Sequence, residues 1–147
     1  MNIIHWPEIL DAVINGKPID GKKPGAPANE TLSVPKILSW KSGELTAEWL
    51  VDPLLLNSRG ELFGGYYSVL ADVALSYTVM TCISDSERFK TIDLRVSYFR
   101  PAFSGKIAIN CRVINKTKSF VHTEAEFISE EGKQLAKASA TFAIVPA

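Results

Sequence analysis

The chain has 147 residues, which suits one compact domain, and 46% of them are hydrophobic, as is usual in globular proteins. Sixteen basic residues balance sixteen acidic ones, so the formal net charge is zero. A protein that binds nucleic acid with its whole surface needs a basic field, so this balance argues against a nucleic-acid partner.

Residues 1–35 are predicted to form an N-terminal extension. Pro7 can occupy the first position of a helix over 7–14, and Asn15 with Gly16 supplies a stop. The apolar stripe of this helix consists of Ile9, Leu10, Val13 and Ile14. It favours a helix that simply packs against the sheet, and the alternative is a helix that covers part of a pocket. Residues 17–35, rich in Pro, Gly and Lys, predict an irregular connection.

The N-terminal residues do not resemble a secretory leader, because Glu8 and Asp11 are present and a basic start is missing. No apolar run is long enough to span a bilayer. We therefore expect a cytoplasmic protein without a membrane partner. Cys82 and Cys111 fit no metal-site spacing, and we expect both to be reduced, buried thiols.

From Lys36 the hydrophobic pattern alternates with period two, which predicts strands at 37–40 and 45–51 joined at Ser42 and Gly43. After Gly64 and Gly65, about 19 residues follow without Gly or Pro, and they are apolar on nearly every side. Such a segment predicts a helix enclosed by other elements.

Four further alternating stretches predict strands at 92–98, 107–113, 121–127 and 136–144. Short polar turns make neighbours among them antiparallel. The simplest way to bury one apolar helix with these strands is a curved antiparallel sheet wrapped around it. We therefore predict an α+β domain over residues 36–147 with a central apolar helix.

Asp72 is the first candidate for a chemical role. It lies in the apolar run 69–74, where a carboxylate is paired, neutral or used in function. No Lys or Arg occurs between Gly60 and Glu87, so the helix itself offers no cationic partner. The structural alternative is an Asp72 that is exposed at an edge or bonded to a backbone group.

Gly64 and Gly65 lie at the predicted start of the helix, where free amides and the helix dipole favour negative charge. An amide aimed at a carbonyl oxygen can act as an oxyanion donor, although the glycines could also serve only a tight turn. Asp72 lies seven residues after Gly65, roughly 10 Å along the helix axis. If both act on one bond, they must belong to different subunits, which predicts a dimer with interface sites.

The stretch 57–65 (Asn-Ser-Arg-Gly-Glu-Leu-Phe-Gly-Gly), followed by Asp72, resembles the signature of hotdog-fold thioesterases of the phenylacetyl-CoA thioesterase-like group. The stretch 91–102, which ends in an aromatic residue, Arg, Pro and a small residue, is similar to a strand of the same family. The resemblance spans residues 45–146. It implies the hotdog fold and hydrolysis of an acyl-CoA to a free acid and coenzyme A, without a metal or other cofactor, in a homodimer or homotetramer.

The resemblance also implies roles for individual residues. Asp72 would be the general base or the nucleophile, and the amide of Gly65 or Gly64 would polarise the thioester carbonyl. Asn57 would orient the water or the substrate from the loop before the helix. Thr91 would help to hold the water from the start of the next strand.

Phe63 is a departure, because the family has His immediately before the two glycines. If that His positions the loop or the substrate, Phe63 must do so by packing, which affects substrate choice and rate. The departure keeps open an alternative function, a non-catalytic acyl-CoA binding or sensing protein on the same fold.

Four basic residues near predicted strand ends are candidates for binding the coenzyme A phosphates, namely Arg100, Lys116, Lys118 and, more weakly, Lys90. The alternative is that they are ordinary solvated charges in turns. The two histidines, His5 and His122, neighbour no carboxylate at triad spacing. Hotdog dehydratases and hydratases use a His with a carboxylate, so the sequence argues against that class.

Overall fold

The computed structural model describes residues 4–147. The first three residues of the predicted N-terminal extension lie outside the described residues. The elements are α1 (Trp6–Asn15), β1 (Lys36–Lys41), β2 (Glu44–Leu50), α2 (Tyr66–Met80), β3 (Glu87–Tyr98), β4 (Lys106–Lys116), β5 (Phe120–Ile128) and β6 (Gln134–Pro146), with short 3₁₀ helices at Pro27–Glu30 and Pro53–Leu55. None of the helices described within 4–147 has the length and apolarity needed to cross a bilayer.

The six strands form one antiparallel sheet in the order β1-β2-β4-β5-β6-β3. The sheet curves around α2, which confirms the predicted α+β fold. Strands β1 and β3 are its edges. The predicted alternation of β3 is broken at Ile92, where the register with β6 shifts between Thr91 and Asp93 and the Ile92 side chain is 54% exposed.

Helix α2 packs on the inner face of the sheet and contacts β2 to β6. Leu70, Leu75 and Val79 are fully buried there, each stabilising the fold by about 1.5–3 kcal/mol. The opposite flank of α2 is only half-buried and consists of Ser68, Val69, Asp72, Val73, Ser76 and Met80. This helical spacing leaves one side of the helix facing the N-terminal residues rather than the sheet.

We call the described residues 4–35 the N-terminal segment. Helix α1 begins with Pro7 in its first turn and ends at Gly16, which has the left-handed φ of 64° that favours glycine. Leu10 is fully buried, and α1 contacts β1 and α2. The backbone amide of Trp6 donates to Asp85 Oδ1 at 3.1 Å, and its indole donates to Ser84 O at 3.1 Å.

The irregular part of the N-terminal segment is attached to the domain at Ser33. The indole of Trp49 donates to Ser33 Oγ at 2.9 Å, and the hydroxyl of Tyr66 donates to Ser33 O at 2.6 Å. The rings of Trp49 and Tyr66 stack with centroids 5.4 Å apart. Ser33 therefore ties the end of the segment both to β2 and to the start of α2.

Candidate active site

Asp72 lies on the half-buried flank of α2 and faces the first half of β3. The Thr91 hydroxyl donates to Asp72 Oδ1 at 3.0 Å. The other carboxylate oxygen, Oδ2, has no hydrogen-bond or ion-pair partner within the described part of the chain. Asp72 and Thr91, which were identified in separate sequence motifs, are thus in contact. The Thr91 hydroxyl orients one oxygen of the Asp72 carboxylate, and the other oxygen has no partner within the described part of the chain.

Asp72 opens onto a cavity of about 790 Å³, here called the Asp72 cavity. It is lined by Trp6, Ile9, Gly25, Ala26, Ala28, Asn29, Leu32, Ser68, Val69, Asp72, Val73, Ser76, Tyr77, Met80, Thr91 and Leu94. Asp72 is the one acid among these described residues, and no Lys or Arg is among them. A mainly apolar cavity with a few polar groups is the usual form of a small-molecule site.

Gly64 and Gly65 precede the first turn of α2. Neither of their amides donates to another group within residues 4–147, and Gly65 is exposed. Gly65 has ordinary right-handed φ and ψ of −60° and −22°, so the backbone conformation alone does not require glycine. The exposed amides at a helix N-terminus are suited to stabilising an oxyanion.

Two aromatic rings lie close to the glycines. A Cβ on Gly65 would lie 2.8 Å from the Phe63 ring, and one on Gly64 would lie 3.3 Å from the Tyr98 ring. The Tyr98 hydroxyl donates to Gly64 O at 2.9 Å. Phe63 and Tyr98 thus flank the two glycines, and both side chains are more than half exposed.

Asn57 lies in the loop before α2 and holds its shape. Its side-chain oxygen accepts from the backbone amides of Arg59 at 2.9 Å and Glu61 at 3.1 Å. Arg59 also donates to the Glu61 carboxylate, and this hydrogen bond lowers the pKa of Glu61. Because the Asn57 oxygen is used by the loop, only its amide nitrogen is available to a substrate or water.

A second cavity of about 350 Å³, here called the loop cavity, lies at this end of α2. It is lined by Asn57, Arg59, Glu61, Leu62, Gly64, Tyr67, Tyr98, Phe99, Arg100, Pro101 and Ala102. The predicted site residues therefore fall into two groups within one subunit. Asp72 and Thr91 line one cavity, and Asn57, Gly64 and Arg100 line the other.

The four predicted phosphate contacts are spread along the protein. Arg100 lines the loop cavity and donates to the backbone oxygen of Gln134 at 3.0 Å. Lys116 pairs with Glu87 at 3.8 Å, near the opposite end of β3. Lys118 lies in the turn between β4 and β5, and Lys90 is exposed on β3.

Tyr67 and Tyr98 are site residues for which the sequence suggested no role. Tyr67 lies at the base of the loop cavity, and its buried hydroxyl has no hydrogen-bond partner in the described part of the chain. Burial, followed by the neighbouring Tyr98, raises the pKa of Tyr67 to about 12. Tyr98 could have been suspected, since it belongs to the aromatic-Arg-Pro stretch that carries the resemblance.

The histidines and cysteines lie apart from both cavities. His5 pairs with Asp85, and His122 contacts Thr141 on the outer face of the sheet. Cys82 and Cys111 are free thiols, but only Cys111 is buried as predicted, because Cys82 lies half-buried just after the end of α2; burial raises the pKa of both. Among residues 4–147, no group of three or more His, Cys, Asp or Glu side chains is arranged to hold a metal ion.

Comparison with known proteins finds relatives named as esterases or thioesterases. A Caenorhabditis elegans protein with the name "Putative esterase F42H10.6" is 31% identical over 105 residues, covering 70% of this chain. The match spans 62% of the length of that relative.

Solved structures share the fold at low sequence identity. A thioesterase family protein from Silicibacter pomeroyi superposes with a TM-score of 0.79 at 17% identity, covering 97% of this chain and 100% of the other. A mutant thioesterase from Pseudomonas aeruginosa has a TM-score of 0.76 at 20% identity, covering 99% and 97%. The sequence model of the thioesterase superfamily matches residues 59–136, more than half of the chain, and these include the two glycines, Asp72 and Thr91. The chain therefore belongs to the thioesterase superfamily, with the hotdog fold.

Proposed function

We propose that the protein is an acyl-CoA thioesterase, which hydrolyses an acyl-CoA to a free acid and coenzyme A. The observation that carries the proposal is Asp72, a half-buried carboxylate in an apolar cavity, with Thr91 bonded to Oδ1 and no partner for Oδ2 among residues 4–147. A carboxylate so placed can accept a proton from water beside a bound thioester.

In this mechanism, Asp72 takes a proton from water as the water oxygen attacks the thioester carbonyl carbon. The amide of Gly65 donates to the oxyanion that forms on the carbonyl oxygen. Collapse of this intermediate breaks the carbon–sulfur bond, and the thiolate of coenzyme A receives the proton from Asp72. As an alternative, Asp72 attacks the carbonyl carbon directly, the carbon–sulfur bond breaks to release the coenzyme A thiolate, and water then hydrolyses the resulting anhydride to the free acid and the Asp72 carboxylate, with the released proton taken up by the thiolate.

We further propose that each site forms between two subunits of a homodimer, or of a homotetramer built from such dimers. Strand β3 is a twelve-residue edge without a partner on its outer side in the described chain. Exposed apolar side chains follow this edge, namely Ile92, Tyr98 and Phe99. An uncovered strand edge of this kind is a template for pairing with another chain.

The same edge explains how two half-sites could meet. Thr91 and Tyr98 lie seven residues apart on β3, roughly 24 Å along an extended strand. A two-fold axis between them pairs the strands antiparallel and places Thr91 of one subunit near Tyr98 of the other. Asp72, bonded to Thr91, would then lie near the other subunit's Gly64 and Gly65, which Tyr98 flanks.

Within such a dimer, Arg100 is the best-placed candidate for a coenzyme A phosphate, because it lines the loop cavity. Lys90, Lys116 and Lys118 are proposed as outer contacts, although Lys116 must first leave Glu87. The substrate would then enter past the loop cavity with its acyl group directed to Asp72. A cytoplasmic location stays a prediction.

The second candidate function is acyl-CoA binding without catalysis, and Phe63 favours it. Its ring occupies the space beside Gly65 where a Cβ would lie. A Phe63 ring fixed there would exclude the thioester carbonyl from the amide while leaving the Asp72 cavity available to the acyl group.

A panel of aliphatic and aromatic acyl-CoAs, assayed by release of free thiol, separates the two functions. We expect turnover of at least one member of the panel. Binding of acyl-CoAs, measured by calorimetry, without thiol release from any of them would contradict the enzyme and support the binding protein.

Replacing Thr91 by Val is expected to lower kcat by about tenfold, because a hydrogen bond to a charged group is lost. KM should change little, since the Thr91 hydroxyl positions Asp72 rather than the acyl group. Thr91→Ser retains the hydroxyl and is the matched control. Kinetics of the three proteins on one acyl-CoA test this, and equal kcat values for Thr91→Val and the wild type would contradict it.

A further inference from the structure

We propose that the N-terminal segment is the outer wall of the acyl-binding site and restricts the substrates to thioesters of neutral, mainly hydrocarbon acyl groups. The proposal rests on the thioesterase function and goes beyond it, because it names the substrate class and the part of the chain that selects it.

The Asp72 cavity has two walls from different parts of the sequence. The inner wall is the half-buried flank of α2 with Thr91 and Leu94 of β3. The outer wall comes from the N-terminal segment, with Trp6 and Ile9 of α1 and the irregular stretch 25–32. Without the N-terminal segment, the flank of α2 would be an open apolar surface rather than a cavity.

The Asp72 cavity runs along the axis of α2. Asp72 and Met80 lie eight residues apart on α2, about 12 Å along its axis, and both line the cavity. An acyl group whose carbonyl lies at Asp72 can thus extend along Val73 and Ser76 towards Met80. In that position its outer side contacts the N-terminal segment, where Ala28 is one of the small exposed residues.

The lining chemistry favours an uncharged acyl group. No Lys or Arg lines the cavity among the described residues, so a terminal carboxylate would lose hydration without gaining a cation. It would also be repelled by Asp72. Asn29 and Tyr77 are polar groups of the lining, and burial raises the pKa of Tyr77 by more than the nearby Asn29 side chain lowers it.

The outer wall is fixed to the domain at both ends. At the start, Trp6 is bonded to Asp85 and Ser84, and the Arg88 guanidinium lies 5.4 Å from the centre of its ring. At the end, Ser33 accepts two hydrogen bonds from the domain. A bulky side chain added to the inside of this wall should therefore fill the cavity rather than displace the segment.

The test compares Ala28→Trp with Glu30→Trp and the wild type. Both substitutions lie in the same 3₁₀ helix, but Ala28 lines the cavity and Glu30 does not. Glu30 loses only an exposed pair with Lys23, which contributes little. The readout is the ratio of kcat/KM for octanoyl-CoA to that for acetyl-CoA. We expect Ala28→Trp to lower this ratio by about tenfold or more, and Glu30→Trp to leave it unchanged.

A second comparison tests the charge argument on the wild type. Butyryl-CoA and succinyl-CoA differ at the end of the acyl chain, where succinyl carries a carboxylate, and we expect kcat/KM to be at least about tenfold higher for butyryl-CoA. Equal values for this pair, or an unchanged octanoyl to acetyl ratio in Ala28→Trp, would overturn the inference while leaving the thioesterase function intact. Absence of hydrolysis of every acyl-CoA by the wild type would instead refute the proposed function itself.

Discussion

Replacing Asp72 by Asn is expected to lower kcat for acyl-CoA hydrolysis by about 10²–10⁴-fold, the usual contribution of a general base. The amide has nearly the shape of the carboxylate and can still accept from Thr91, so the geometry of the site should persist. It can neither take a proton from water nor attack the carbonyl carbon. The measurement is thiol release by the variant and the wild type at saturating substrate.

Two controls make the Asp72 result specific. Asp20→Asn makes the same chemical change at an exposed position in the N-terminal segment and should retain full activity. Calorimetric binding of the acyl-CoA to Asp72→Asn should stay within a few-fold of the wild type, because the cavity is unchanged. An Asp72→Asn protein that hydrolyses at the wild-type rate would remove Asp72 from the mechanism, and another residue would have to activate the water.

Mixing two inactive variants is expected to restore activity if each site is shared between subunits. Asp72→Asn removes the proposed base, and Gly65→Val places a branched side chain beside the proposed oxyanion donor, which the other subunit would supply. In a mixed dimer, one interface site then carries both changes and the other carries neither. Random association of equal amounts should therefore recover about a quarter of the wild-type activity.

The experiment needs subunit exchange, which co-expression of the two variants with different affinity tags provides. Gly65 has helical backbone angles that valine can adopt, and the Phe63 ring that valine would meet is exposed and can move. Replacing the second partner by the double variant Asp72→Asn/Gly65→Val is the control, since no mixed dimer then has an intact site. No recovery in the mixture of single variants would place both residues in one subunit's own site or exclude them from the site.

The hydrophobic periodicity of the sequence predicted the helices and strands well wherever burial of one face determines the pattern. The strands of the sheet alternate because one face packs on α2, and the long apolar stretch became the helix at the centre. The prediction was wrong locally at Ile92, since a bulge in an edge strand depends on pairing with β6, which the pattern of one strand does not encode.

The pairing of Asp72 with Thr91 was within reach of the sequence only through the resemblance, because the residues are nineteen positions apart and on different elements. The separation of Asp72 from Gly65 followed from their spacing on the helix, but the two cavities themselves could not be predicted, since they depend on where the loop 57–63 and the Tyr98 ring lie in space. The packing of Phe63 against Gly65 is a contact between side chain and backbone that local sequence suggests but does not define.

The irregular stretch 17–35 has a consequence for how this protein can diversify. Its backbone is attached at Ser33, contributes no strand to the main sheet and leaves Ala26 and Ala28 exposed. Surface connections of this kind tolerate substitutions and changes of length better than core strands do. The proposed base and oxyanion donor come from another part of the chain, so changes confined to residues 17–35 can alter the proposed substrate preference without altering the residues proposed to break the thioester bond.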